Sequence, residues 1–288
     1  MGATLLSQVG FVSSGGLPRG VGPLATSGAS ESAATLALVR GLGFGAVLAA
    51  TAVLLVYLFQ YRNQVLAKPY QERWRYLAVG VGAAAVYAVS GLVETVGTNA
   101  DLVAGARTFR LGATLFFFLF AAVGVRAMYR TATGGHGLVT KRELPNWVLP
   151  SVLAGFVVTW WAAYLFGPSV VVGAVETVGL AGAVAYTLAY AVATVRAQEG
   201  TSIAAVTRQF TPALVAFAVV VVAEQASFYG LGSDVVATSL VMVGRVLAAA
   251  FLFATAVAIR QQGGEVSRLY DPTTWRGNDG ANYDSATD

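Results

Sequence analysis

No cysteine occurs in the 288 residues, so disulfides, thiolate metal sites and cysteine nucleophiles are all excluded. Histidine occurs once, at His136, which rules out a bis-histidine haem or a histidine-based zinc site within one chain. Lysine is almost as scarce: Lys68 and Lys141 are followed by no other, and the remaining basic residues are arginines. Charge of either sign is thin, at 11% of residues, where soluble domains carry about 25%. Hydrophobic residues make up 56%. A chain this long with so little charge reads as a membrane protein rather than a soluble one with an oversized core. The abundance of Ala, Val, Gly and Arg, with the acidic ending DGANYDSATD, has the style of haloarchaeal proteins.

A spanning helix needs about 20 largely apolar residues. Seven such runs occur, at 33–59, 77–97, 104–128, 147–166, 169–195, 211–231 and 236–259. The pattern predicts an all-α membrane protein of seven transmembrane helices over 33–260. A flexible Gly/Ser-rich tail, 1–32, precedes it, and a polar, disordered tail, 261–288, follows it. The early apolar stretch ATLLSQVGFV has no basic residue before it and does not read as a signal peptide. Short connections imply that consecutive helices are antiparallel neighbours, and Gly41 and Gly45 form a small-xxx-small pair suited to close helix contact.

Basic residues set the orientation. Arg62, Lys68, Arg73 and Arg75 follow the first run; Arg130, Lys141 and Arg142 the third; Arg196 and Arg208 the fifth; Arg260, Arg268 and Arg276 the last. The opposite connections, GTNADLVAG, GPS and GLGSD, contain neither Lys nor Arg. The expectation is a multi-pass protein of the cell membrane with its N-terminus outside and its C-terminus in the cytoplasm. The net charge of +4 then reflects that asymmetry and carries no nucleic-acid meaning.

Seven ionisable residues fall inside the runs: Arg40, Glu94, Arg107, Arg110, Glu176, Glu224 and Arg245. At 1.5 Å per residue, Arg110, Glu176 and Glu224 lie roughly 9–10 Å below the outer ends of their helices and Arg245 about 14 Å. All seven belong to the outer half, whereas the inner half reads as LFFFLFAAVGV, TPALVAFAVVVV and AAAFLFATAVAI. A continuous ion path needs polar stations in both halves. Helical spacing puts Tyr87, Ser90 and Glu94 on one face, Arg107 and Arg110 on another, and Glu224, Ser227 and Phe228 on a third. Two readings follow: a buried ion network that pins the helices, with Arg245 paired to Glu224, or an outward-facing anion site, since four arginines outnumber three glutamates.

Some of these residues carry a resemblance. Seven helices, N-out, with short outer connections, resemble the microbial rhodopsins. In that family the last helix carries an aspartate four residues before the lysine that forms the retinal Schiff base. The run LVMVGRVLAAAFLFATAVAIR is similar to that helix without gaps, and places Arg245 on the aspartate and Ala249 on the lysine. The stretch ARTFRL keeps the family's Ala-Arg as Ala106 and Arg107, but has Arg110 at the counterion aspartate and Leu111 at the tryptophan. AVAYTLAYAVATVRAQEG through RQFTPALVAF resembles the family's fifth and sixth helices; the Trp and Tyr-Pro that box retinal are missing from VAFAVVVVAEQ.

The resemblance implies the fold and excludes the family's chemistry. A Schiff base requires a lysine amine, and both lysines fall in loops. A retinal-free module is expected, binding or scaffolding a lipid, a carotenoid or a membrane-protein partner, including a second copy. The aromatic stretches LFFFLF and TWWAAYLF are candidates for holding a polyene. The alternative is an anion transporter or channel built on the arginine cluster. An enzyme is not expected: Ser90 and Ser227 have no histidine partner, and arginines near Glu176 and Glu224 would hold both carboxylates ionised. No metal site is expected.

Overall fold

The structure is a computed structural model that describes residues 24–64, 68–133, 148–231 and 233–269. The residues between and beyond these, which include ATLLSQVGFV, His136, Lys141 and the end of the C-terminal tail, lie outside the described part. The chain divides into two compact units, Met1–Leu38 and Val39–Asp288. The described residues of the first belong to the opening turns of α1; the second holds everything considered below.

Among the described residues the fold is entirely helical: α1 Leu24–Gln64, α2 Lys68–Val96, α3 Ala100–Ala132, α4 Val148–Phe166, α5 Ser169–Ala197, α6 Ser202–Phe228 and α7 Asp234–Leu269. Six of these seven, all but α4, contain spans long and apolar enough to cross a membrane, so the chain is a helical, multi-pass membrane protein. The apolar stretch described in α4, Ala154–Phe166, is shorter.

Several helix ends differ from the hydropathy boundaries, with α2 starting at Lys68 rather than 77 and α6 at Ser202 rather than 211. α1 begins at Leu24, inside the stretch read as a flexible tail, and α7 continues to Leu269, past 260. Apolarity marks where a helix can sit in lipid, not where its hydrogen bonding stops. After Pro23 the segment LATSGASESAAT contains no further proline, and RQQGGEVSRL contains none either. Two other ends are sharply set. Asn99 caps α3 by accepting from the amides of Asp101 and Leu102 at 2.9 and 3.3 Å, and Thr201 caps α6 through Ala204 N at 3.2 Å.

Neighbouring helices pack as α2 on α3, α4 on α5, α5 on α6 and α6 on α7. One pairing departs from strict succession: α3 packs extensively on α5. These two run parallel, and three polar side chains of α5 and its C-cap donate to carbonyls of α3: Thr187 to Phe118 at 2.9 Å, Thr194 to Val125 at 3.1 Å and Gln198, the cap, to Met128 at 3.0 Å. The donors are seven and four residues apart, so they form one stripe. α1 closes the bundle through side chains. Trp74 of α2 donates to Leu58 O at 3.3 Å, and Phe44 lies between Tyr87 of α2 and Arg245 of α7.

Small residues govern the closest approach, at positions other than the pair expected. A Cβ on Gly80 would stand 3.1 Å from Ala121 N, and one on Gly124 would stand 3.1 Å from Leu77 N. α2 and α3 therefore meet backbone to backbone. A Cβ on Gly41 would make only an ordinary contact with Thr95, at 3.9 Å, and one on Gly45 would meet nothing within 4 Å. The 41/45 spacing makes no tight seam here.

Candidate functional site

Four helices contribute one charged side chain each to a single cluster. Arg110 of α3 donates from Nε to Glu94 Oε2 at 2.7 Å and from Nη1 to Glu224 Oε1 at 2.6 Å. Arg245 of α7 donates from Nη2 to the same Glu224 oxygen at 2.9 Å and from Nε to the Tyr87 hydroxyl at 2.9 Å. Glu224 thus bridges the two arginines, and two positive charges meet two negative ones. Arg110 is 8% exposed and Arg245 6%. At that burial, ionised groups persist only when paired and hydrogen-bonded.

The aromatic surroundings complete the solvation of Arg245. Its guanidinium carbon lies 3.9 Å from the centre of the Phe44 ring and 6.0 Å from that of Tyr87, within the range of cation–π attraction. Phe44 reaches this place because position 91 is glycine: a Cβ there would coincide with the Phe44 ring. A Cβ on Gly43, one residue earlier on α1, would stand 3.8 Å from the Cβ and Cδ of Arg245. Ser90 is buried beside Tyr87 on the α2 face read from the sequence.

The structure does not bring all seven ionisable residues together. Arg40 and Arg107 are exposed. Arg107 lies one turn before Arg110 and about 60° round the helix from it, which turns a long side chain outward while Arg110 points inward. Glu176 is half-buried and separate from the cluster; its Oε1 accepts from the Trp160 indole N–H at 3.1 Å. Ser227 is exposed rather than sharing an inward face with Glu224, and the Phe228 side chain lies outside the described ones.

Beneath the charges the interior is aromatic. Seven residues along from Arg110 and seven back from Glu224, about 10 Å deeper along each helix, stand Phe117 and Phe217, with ring centres 4.7 Å apart. Tyr87 meets Phe217 edge-on at 5.7 Å, and Phe210 meets Phe117 at 6.2 Å. Ala249, one turn beyond Arg245, is buried at 6%. Further along, the buried hydroxyls serve backbone carbonyls. Thr187 and Thr194 do so across α3 and α5, and Thr255 donates to Gln209 O of α6 at 3.0 Å. Among the described residues no group of His, Asp and Glu is placed to hold a metal ion.

Phe44 was missed in the sequence because it is not polar, and Trp160 was noted only as part of TWWAAYLF, not as the partner of Glu176. The signal for Phe44 was its setting in RGLGFG, where flanking glycines leave a lone large ring on a small-residue face. Compared with known proteins, the chain matches no family model and no curated sequence.

Proposed function

We propose that the chain is a retinal-free, rhodopsin-like seven-helix protein of the cell membrane, N-terminus outside and C-terminus cytoplasmic, that acts as a binding, sensory or scaffold module and not as an enzyme. In this reading α4 is the remaining span, and the charge cluster lies in the outer half.

The observation that carries the reading is the pair of stacked layers in the interior. A charge-balanced cluster of Glu94, Arg110, Glu224 and Arg245 sits directly on a packed plug of Tyr87, Phe117, Phe210 and Phe217. Such an interior is a structural pin, with neither a lysine for a chromophore nor a polar column for an ion. The same balance weighs against the anion-transport alternative, because both buried arginines already have carboxylate partners. Ala249 supports the absence of a covalent pigment: it stands where the resemblance puts the Schiff-base lysine.

The test is spectroscopic. Addition of all-trans retinal to purified protein should give no red-shifted, hydroxylamine-sensitive band. A band that survives Lys68→Arg and Lys141→Arg together overturns the reading.

A further inference from the structure

The two aromatic stretches noted in the sequence, LFFFLF and TWWAAYLF, meet on the outside of the bundle. They wall a groove of about 620 Å³ between α2, α3 and α4. Phe116 and Phe120 stack on one side with ring centres 6.1 Å apart. On the other, Trp161 stands edge-on to Trp160 at 5.5 Å and to Tyr164 at 6.1 Å. Gly82, Gly105 and Gly112 form the floor.

This wall is held in place. Trp160 is buried, its indole N–H is fixed by Glu176 of α5 at 3.1 Å, and its ring edge lies against Gly112, where a Cβ would be only 3.3 Å away. The glycines of α2 and of the start of α3 leave the floor open: a Cβ on Gly82 or Gly105 would meet nothing within 4 Å. Side-chain oxygens are confined to Thr108 and Tyr164, whose hydroxyls are 3.3 Å apart. From Gly105 to Phe120 the groove follows α3 for about 22 Å.

We propose that this groove binds the linear conjugated chain of a polyene lipid, with a hydroxyl or carboxyl end at Thr108 and Tyr164. The proposal rests on the reading of α2, α3 and α4 as membrane-embedded, and it names the ligand class of the binding module. Its volume lies within the range of small-molecule sites, about 300–1,000 Å³. An α-helix, at least about 10 Å across, would displace roughly 1,700 Å³ over 22 Å, so a second copy's helix can lie over the mouth but not within. The choice between chains follows from the solvent. In a bilayer a saturated chain gains little by entering an apolar groove, because lipid tails are as apolar as the wall. A conjugated chain gains face contacts with Phe116, Trp161 and Tyr164 of the kind aromatic pairs make.

The probe is parinaric acid, a conjugated fatty acid, added to the full-length protein in lipid nanodiscs and read by energy transfer from tryptophan. Saturable transfer is expected, with stearic acid at equal concentration failing to displace the probe. Gly82→Leu and Gly105→Leu start from positions where an added Cβ meets nothing within 4 Å, extend into the groove and favour helix. Each should weaken binding on the order of tenfold by excluding a few ligand carbons, with thermal stability kept. Gly182→Leu, on α5, also has open space at its Cβ and should bind as the wild type does. Unchanged binding by both groove variants overturns the proposal, as does displacement by stearate mole for mole. A change of oligomeric state in the groove variants, with no probe binding by the wild type, also overturns it and marks the face as an interface between copies. None of these results bears on the retinal test, which judges the wider reading separately.

Discussion

Arg245→Met and Glu224→Gln probe the cluster where its geometry is most specific. The wild-type cluster is balanced, two arginines to two carboxylates. Either single substitution leaves an odd charge, and the double variant restores balance as Arg110 with Glu94. The two singles differ. Glu224→Gln removes the only carboxylate in contact with Arg245 among the described pairs, leaving it the Tyr87 hydroxyl and the Phe44 ring. Breaking a buried pair in this way costs about 3–5 kcal/mol. Arg245→Met leaves Glu224 bonded to Arg110 at 2.6 Å, so the loss should be nearer one charge-assisted hydrogen bond, about 1.5–3 kcal/mol. At roughly 2–4 °C per kcal/mol for chains of 150–250 residues, thermal unfolding in detergent resolves both. The double variant should be more stable than the summed losses allow by about 1–3 kcal/mol. Simple additivity would refute the coupling, and a larger loss from Arg245→Met than from Glu224→Gln would refute the bridging role given to Glu224.

Three further outcomes follow from other parts of the bundle. The absence of native cysteine allows topology to be read directly: in intact cells, cysteines at Asn99 and Ser233 should react with an impermeant maleimide, and cysteines at Gln64 and Thr140 should not. Gly91→Ala should destabilise the protein by about 1–3 kcal/mol, as overpacking does, because the added methyl takes the place of the Phe44 ring; Gly45→Ala, in open space, should be neutral or better, and equal effects at the two sites would count against the Phe44 contact. Thr194→Val should cost about 0.6 kcal/mol, the mean for interhelical hydrogen bonds in membranes, and Gln198→Leu a similar amount; unchanged unfolding in both would show that the α5–α3 stripe adds nothing to the packing.

The elements were legible in the sequence because lipid imposes a length and a composition that hydropathy reports, whereas the ends were not, since a helix continues past its apolar stretch wherever nothing breaks it. α4 shows the same limit from the other side: its described apolar stretch is the short one. For the charges, counting residues gives depth but not direction. Counting set Arg245 deeper than Arg110 and Glu224 and Glu94 near the outer boundary, yet the four side chains reach one another. Arg107 shares a nominal face with Arg110, yet a 60° offset and one turn of height turn it outward. Glu176 matches Glu224 in depth, but α5 meets α4 at that level, so its partner is the Trp160 indole.

Two of the strongest local patterns changed meaning once the neighbours were known. The 41/45 glycine pair makes no seam, while Gly80, Gly91 and Gly124, which follow no simple spacing, carry the close contacts. A glycine's value in a helix bundle depends on what the opposite helix places there. The aromatic runs behave alike: neighbouring residues of LFFFLF go to different sides, Phe117 and Phe118 into the core and Phe116 and Phe120 to the groove. One short segment therefore fills the interior and supplies one wall of the groove outside it. The charge cluster and the groove are joined by the same logic, since Glu176, left out of the cluster, is the residue that fixes Trp160. Among the described residues the interior is filled by ion pairs and rings, and the aromatic relief of the outer surface lies between α2, α3 and α4.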